Sequence, residues 1–166
     1  MTTIAERTKF PQVLLTEDNH GDALLVQRAF KKAAIPGNVV VARTAEVGLS
    51  ILRREGGFAR GPYPDIVLVD VNLPYMGGSD FLKVIKADAE LKLIPVIVMS
   101  SSKAELDLQA TYKAYANGFI TKPFIPGEYD QIIKTIEEYW FQLNETPEVR
   151  APAPSSAQEH ETIPMT

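Results

Sequence analysis

Five short apolar runs punctuate this chain, and each is followed by a longer stretch with helical spacing. The runs are Val13-Leu14-Leu15, Val39-Val40-Val41, Ile66-Val67-Leu68-Val69, Val96-Ile97-Val98-Met99 and Phe119-Ile120. None alternates apolar with polar residues, so both sides of each pleat are apolar. A strand that is apolar on both sides must be covered on both sides, which is the situation of a parallel sheet packed between helices. The intervening segments supply those helices. Leu25, Val26, Ala29, Phe30 and Ala33 recur at helical spacing and end before Gly37. Thr44 stands where a cap would, with Val47 three residues on and Leu49, Ile51 and Leu52 following. Phe81, Leu82, Val84 and Ile85 make a third helix, and Leu106, Leu108, Ala110, Tyr112 and Tyr115 a fourth. Tyr129, Ile132, Ile133, Ile136, Trp140 and Leu143, spaced 3, 1, 3, 4 and 3, make a fifth. Residues 55–64 are rich in glycine and proline and read as a loop. The order is (βα)₅, and open sheets of this kind bind ligands at the carboxyl ends of their strands.

The folded region runs over residues 11–143, preceded by an N-terminal extension at 1–10. Residues 144–166 differ in character. They hold four prolines, and their four glutamates are opposed by one arginine. This segment reads either as a solvated tail or as an arm docked on a partner subunit. The chain carries a net charge of −4 and shows no cluster of Lys and Arg, which argues against nucleic acid as a partner. It has no cysteine, so disulfides, thiolate nucleophiles and Cys-ligated zinc are excluded. The opening MTTIAERTKF has no apolar core of a signal peptide, and no apolar run is long enough to cross a bilayer. The expectation is a cytoplasmic protein without a membrane partner.

Chemistry gathers at the strand ends. The first strand leads into Glu17-Asp18, the third ends at Asp70, the fourth at Ser100, and the fifth leads into Thr121-Lys122. A parallel sheet brings all four ends to one rim. Carboxylates crowded there repel one another unless a cation lies among them. With no cysteine or histidine nearby, that cation should be hard and oxygen-loving, as Mg²⁺ is. Lys122 offers a fixed positive charge and Ser100 a hydroxyl donor. A carboxylate nucleophile, a cation, an ammonium and a hydroxyl together suit a phosphoryl acceptor.

Glu17-Asp18, Asp70-Val71-Asn72-Leu73-Pro74, Gly77-Gly78, Ser100 and Lys122-Pro123, in that order and spacing, resemble the response-regulator receiver domains of two-component signalling. The similarity covers about residues 11–143. It implies a flavodoxin-like doubly wound fold with a five-stranded parallel sheet in the order 2-1-3-4-5. It also implies roles. Asp70 would be phosphorylated. Glu17, Asp18, Asp70 and the backbone carbonyl of Asn72 would hold Mg²⁺ or Mn²⁺. Ser100 and Lys122 would bind the phosphoryl group, with Phe119 as the aromatic switch and a cis bond between Lys122 and Pro123. Asn72 and Ser102 would gate water access to the phosphate. Three positions depart from the commoner family pattern: Glu17 replaces Asp, Ser100 replaces Thr, and Phe119 replaces Tyr. The implied partner is a sensor histidine kinase, and the only chemistry is self-catalysed phosphotransfer and autodephosphorylation. Arg53-Arg54-Glu55-Gly56, Ile85-Lys86-Ala87-Asp88 with Leu91-Lys92, and Ile136-Glu137-Glu138-Tyr139-Trp140 narrow the resemblance to single-domain regulators paired with bacterial phytochrome kinases.

Two other readings compete. A phosphohydrolase with an aspartate nucleophile usually carries a second Asp two positions on; here Asn72 stands there and cannot transfer protons. A binding module without phosphorylation would have no need of an intact acidic site. His20 reads as a helix-start residue, and His160 is assigned nothing. At the surface, Tyr112, Tyr115, Phe119, Tyr139 and Phe141 form an expected aromatic interface. It would support a homodimer through the fourth helix, fifth strand and fifth helix, with the tail as a latch.

Overall fold

The computed structural model describes residues 10–101, 105–148 and 151–153. Ser102 and the outer parts of both terminal segments lie outside the described residues. Five parallel strands, β1 (Gln12–Thr16), β2 (Asn38–Ala42), β3 (Ile66–Asp70), β4 (Val96–Ser100) and β5 (Gly118–Thr121), form one sheet in the order β2-β1-β3-β4-β5. The connecting helices are α1 (His20–Lys32), α2 (Ala45–Leu52), α3 (Gly78–Ala87), α4 (Glu105–Lys113) and α5 (Glu128–Ile136). This is the doubly wound arrangement that the resemblance implies, with the parallel sheet covered on both faces that the apolar runs predict. None of the helices among the described residues is long and apolar enough to cross a membrane.

Strand periodicity divides the core into two layers. Leu14, Val67, Val69, Val96 and Val98 face Leu49, Leu52, Phe81, Leu82 and Ile85 of α2 and α3. Their neighbours Val13, Leu15, Ile66, Leu68, Ile97 and Met99 face Val26, Ala29 and Phe30 of α1 and Ile133 and Ile136 of α5. Alternate residues of one apolar run therefore feed opposite layers, which is why the runs could not afford a polar side. β1, β3 and β4 are buried along their whole length, whereas the edge strands β2 and β5 are partly exposed.

The helix ends follow from side-chain chemistry. The hydroxyl of Thr44 accepts from the N–H of Val47, the cap expected there, and Asn19 caps α1 by accepting from the N–H of Asp22. α2 and α4 both close with a left-handed residue. At α2, Arg54 has φ 54°; its N–H donates to the Ile51 carbonyl, and the N–H of Glu55 donates to Ser50. At α4, Tyr115 has φ 65°; its N–H donates to Tyr112, and that of Ala116 donates to Thr111. These are Schellman closures, in which glycine is the usual left-handed residue.

Four expectations need correction here. Tyr115 is not on the fourth helix; α4 ends at Lys113 and Tyr115 closes it from outside. Phe141 is not a surface residue. It is buried in the layer with α1 and α5, whereas Leu143, expected on the apolar face, is 76% exposed. The reason is a change of helical pitch. Residues Glu137–Leu143 form a π-helical segment, closed by a 2.7 Å bond from the N–H of Asn144 to the carbonyl of Tyr139. Its wider turns rotate the side chains away from the positions that α-helical spacing assigns. Finally, the Lys122–Pro123 bond is trans. Trans is the lower-energy isomer even before proline, and Lys122 reaches its partners without the alternative. The loop at 55–64 also contains a single 3₁₀ turn, Gly56–Phe58.

Glu137 anchors the π segment. It is buried, and its Oε1 accepts from the N–H of Ile35 and from Nε2 of Gln142, both at 2.9 Å. Beyond it, Ala151 packs back against the α2–α3 layer, which Phe119 also flanks.

Candidate functional site at the carboxyl rim of the sheet

The sheet register delivers the site. Thr16 pairs with Val69, Asp70 with Met99, and Ser100 with Thr121, so β1, β3, β4 and β5 end at one level. The N–H of Lys122 donates to the Ser100 carbonyl at 2.7 Å and continues the ladder one step past β5. Glu17 continues β1 in the same way, through a 3.0 Å bond to the Ala42 carbonyl. Chain entry to these positions is thus set by backbone pairing rather than by loop conformation.

α3 presses closely on the end of β3. A Cβ on Gly78 would lie 2.2 Å from the carbonyl oxygen of Asp70 and 2.8 Å from the Cα of Val71. Only a residue without a side chain fits there. Asp70 itself is oriented by a short turn in which its Oδ1 accepts from the N–H of Asn72 at 2.9 Å. Glu17 is held similarly, its Oε1 accepting from the N–H of Asn19 at 3.1 Å.

Glu17, Asp18 and Asp70 each offer a carboxylate oxygen, and these oxygens lie within 4.8 Å of one another. Glu17 and Asp70 are buried and Asp18 is exposed. The Nζ of Lys122 lies 2.7 Å from Oε2 of Glu17, 2.9 Å from Oδ2 of Asp70 and 3.1 Å from Oδ2 of Asp22. The sequence-predicted Glu17, Asp18, Asp70 and Lys122 are therefore brought together. Ser100 is fully buried at the end of β4 beside them in register. Phe119 is farther down β5, partly buried and packed toward the α2–α3 layer. Asp22 was not anticipated. Its place in the first turn of a helix is explained equally well by the helix dipole, and only the tertiary fold shows that it meets Lys122.

Burial and charge shift the titration of this cluster. Burial, followed by the adjoining Asp70, pushes Glu17 up to about 7, against the opposing pull of Lys122. Burial by itself would lower Lys122, but its hydrogen bonds to Glu17 and Asp70 outweigh that and raise it. Tyr129 of α5, buried nearby, is pushed up to about 12 by burial and then by the negative charge of Asp22. Carboxylate repulsion of this kind is relieved by a cation, and an all-oxygen donor set fits a hard divalent one.

The chain is similar to known proteins in sequence and in fold. The response regulator receiver domain family matches residues 13–136. The probable methanogenesis regulatory protein FilR2 of Methanothrix harundinacea is 33% identical over 135 residues, covering 81% of this chain and 86% of its own. Response regulator Rcp1 of Synechocystis is 32% identical over 130 residues, covering 78% and 88%. The phosphorylated cyanobacterial phytochrome response regulator RcpA superposes with a TM-score of 0.80 at 37% identity, over 84% of this chain and all of that one. Mn²⁺-bound Rcp1 superposes at 0.77 and 30% identity, over 83% and 99%. A sheet ordered 2-1-3-4-5, an acidic rim bridged by one lysine and a family match across the whole sheet agree, and the chain belongs to the response-regulator receiver domains.

Proposed function

We propose that this chain is a phosphoacceptor switch in which Asp70 takes a phosphoryl group from the phosphohistidine of a sensor histidine kinase. The observation that carries this reading is the 2.9 Å contact between Lys122 Nζ and Asp70 Oδ2 inside a three-carboxylate cluster. Asp70 is buried, its Oδ1 fixed by the N–H of Asn72 and its Oδ2 held by the Lys122 ammonium, so the carboxylate is oriented on both sides for Oδ2 to attack phosphorus in line. As the P–N bond to histidine breaks, the new bond forms between phosphorus and the Asp70 oxygen. Lys122 offsets charge on the equatorial oxygens, and the Ser100 hydroxyl donates to one of them. Glu17, Asp18, Asp70 and the Asn72 carbonyl would hold Mg²⁺ or Mn²⁺, which when bound neutralises charge on the phosphoryl oxygens. Autodephosphorylation, with Asn72 beside the mouth, resets the switch.

The signal leaves by repacking. Movement of Ser100 toward the phosphoryl group opens space that Phe119 enters, a shift between two packings of the same fold. The exposed rings of Tyr112, Tyr115 and Tyr139 supply the surface for a homodimer through α4, β5 and α5, with the tail as latch. Sedimentation of a chain ending at Asn144 tests the latch: unchanged dimerisation removes it from the account. A bacteriophytochrome kinase is the proposed input, supported by the relatedness to Rcp1 and RcpA and tested by co-purification. The proposed setting is the cytoplasm. The main test is incubation with Mg²⁺ and acetyl phosphate followed by intact mass. One added phosphoryl group is expected, and none on Asp70→Asn. Persistence of the gain in that variant would overturn the reading.

A further inference from the structure

Lys122 holds one carboxylate more than the phosphoacceptor reading uses. An ammonium has three hydrogens, and Glu17, Asp70 and Asp22 all lie within hydrogen-bond distance of its nitrogen. Asp22 comes from a different part of the fold, the first turn of α1. Its own N–H is held at 2.9 Å by the capping oxygen of Asn19, so the carboxylate is presented by a fixed helical turn. Its side chain is about one-third exposed, at 32%, against 3% for Glu17 and 6% for Asp70. It therefore sits at the outer side of the ion-pair network.

We propose that Asp22 is a positioning residue for Lys122, holding the ammonium in place when Glu17 and Asp70 are engaged elsewhere. The proposal rests on the phosphoacceptor reading. Glu17 and Asp70 belong both to the ammonium's partners and to the carboxylate cluster suited to a cation, whereas Asp22 belongs only to the former. A divalent cation draws carboxylates toward itself and repels an ammonium. Phosphorylation in addition ties one Asp70 oxygen into the mixed anhydride of an acyl phosphate. Lys122 then loses hold of two of its three partners, and a lysine on a four-carbon stem has little rigidity of its own. Asp22 is the partner left, and it keeps the ammonium facing the incoming phosphoryl oxygens.

The full chain, Asp22→Asn and Asp22→Glu are compared. Wild type must first gain a phosphoryl group from acetyl phosphate; its failure to do so would count against the phosphoacceptor reading itself. Given that gain, the initial rate at saturating Mg²⁺ should fall about tenfold in Asp22→Asn, the effect of one charge-assisted hydrogen bond on positioning. Asp22→Glu should recover most of it. Calorimetric Mg²⁺ affinity should stay within about threefold, because a charge outside the ligand set acts only through space. The Lys122 ammonium resonance in ¹⁵N-detected spectra of the Mg²⁺-loaded protein should be protected from exchange in wild type and lost in Asp22→Asn. A rate within about twofold of wild type overturns the proposal. So does an ammonium resonance identical in the two proteins, or a Mg²⁺ affinity that falls as far as the rate.

Discussion

Glu17 shows how a single residue can be both a proposed ligand and a liability. It is buried beside Asp70, and those two facts push it up to about 7 from the usual 4.5. Between those values the folded protein keeps a proton that the unfolded chain has released. The metal-free protein therefore loses stability as pH rises through this window, and the loss is complete above about 7. Cation binding works the other way, since only the carboxylate form is a ligand. Mg²⁺ measured by calorimetry should bind roughly tenfold more tightly at pH 7.5 than at pH 6. Equal affinity at the two values would mean that cation binding displaces no proton from Glu17 in this range. Lys122 does not titrate in this range, because its partners hold it above its usual value. Glu17, Asp18, Asp70 and Lys122 were legible in the sequence because strand ends in a parallel sheet must meet. Asp22 was not, because nothing local distinguishes it from any acidic residue in a first helical turn.

At the scale of elements, the contact between α3 and β3 is the tightest feature near Asp70. Gly78→Ala forces a methyl group onto the Asp70 carbonyl and the Val71 backbone, neither of which can turn aside. The expected cost is about 2 kcal/mol or more in denaturant melts, with slower phosphorylation because Asp70 is displaced. Gly57→Ala is the control: a Cβ there meets nothing within 4 Å, and stability should change by less than about 0.5 kcal/mol. Either a neutral Gly78→Ala or a costly Gly57→Ala contradicts the packing described. The strands and the Thr44 cap could be read from sequence because apolar runs and cap chemistry are local. The π segment could not. Its signal is the buried Glu137 carboxylate, which ties Ile35 to Gln142 across more than one hundred residues of chain. That arrangement turns Phe141 inward against the helical spacing.

At the scale of the molecule, the two core layers and the acidic rim have one origin. Five runs apolar on both sides give a sheet covered on both sides, and the same parallel order lines up every strand end. The order of the strands depends on which run pairs with which, and five similar valine- and isoleucine-rich runs do not encode that locally. The trans Lys122–Pro123 bond likewise depends on what the surrounding chain permits. What the whole arrangement yields is one buried aspartate, fixed by Asn72 and faced by an ammonium, among carboxylates that otherwise repel. The most direct measurement is to locate the acyl phosphate. The protein is treated with Mg²⁺ and acetyl phosphate, reduced with borohydride and digested, and its peptides are mapped by mass spectrometry. The reduced residue is predicted at Asp70 alone. Reduction at Glu17, Asp18 or Asp22, or at no carboxylate while the intact mass rises, would contradict the account.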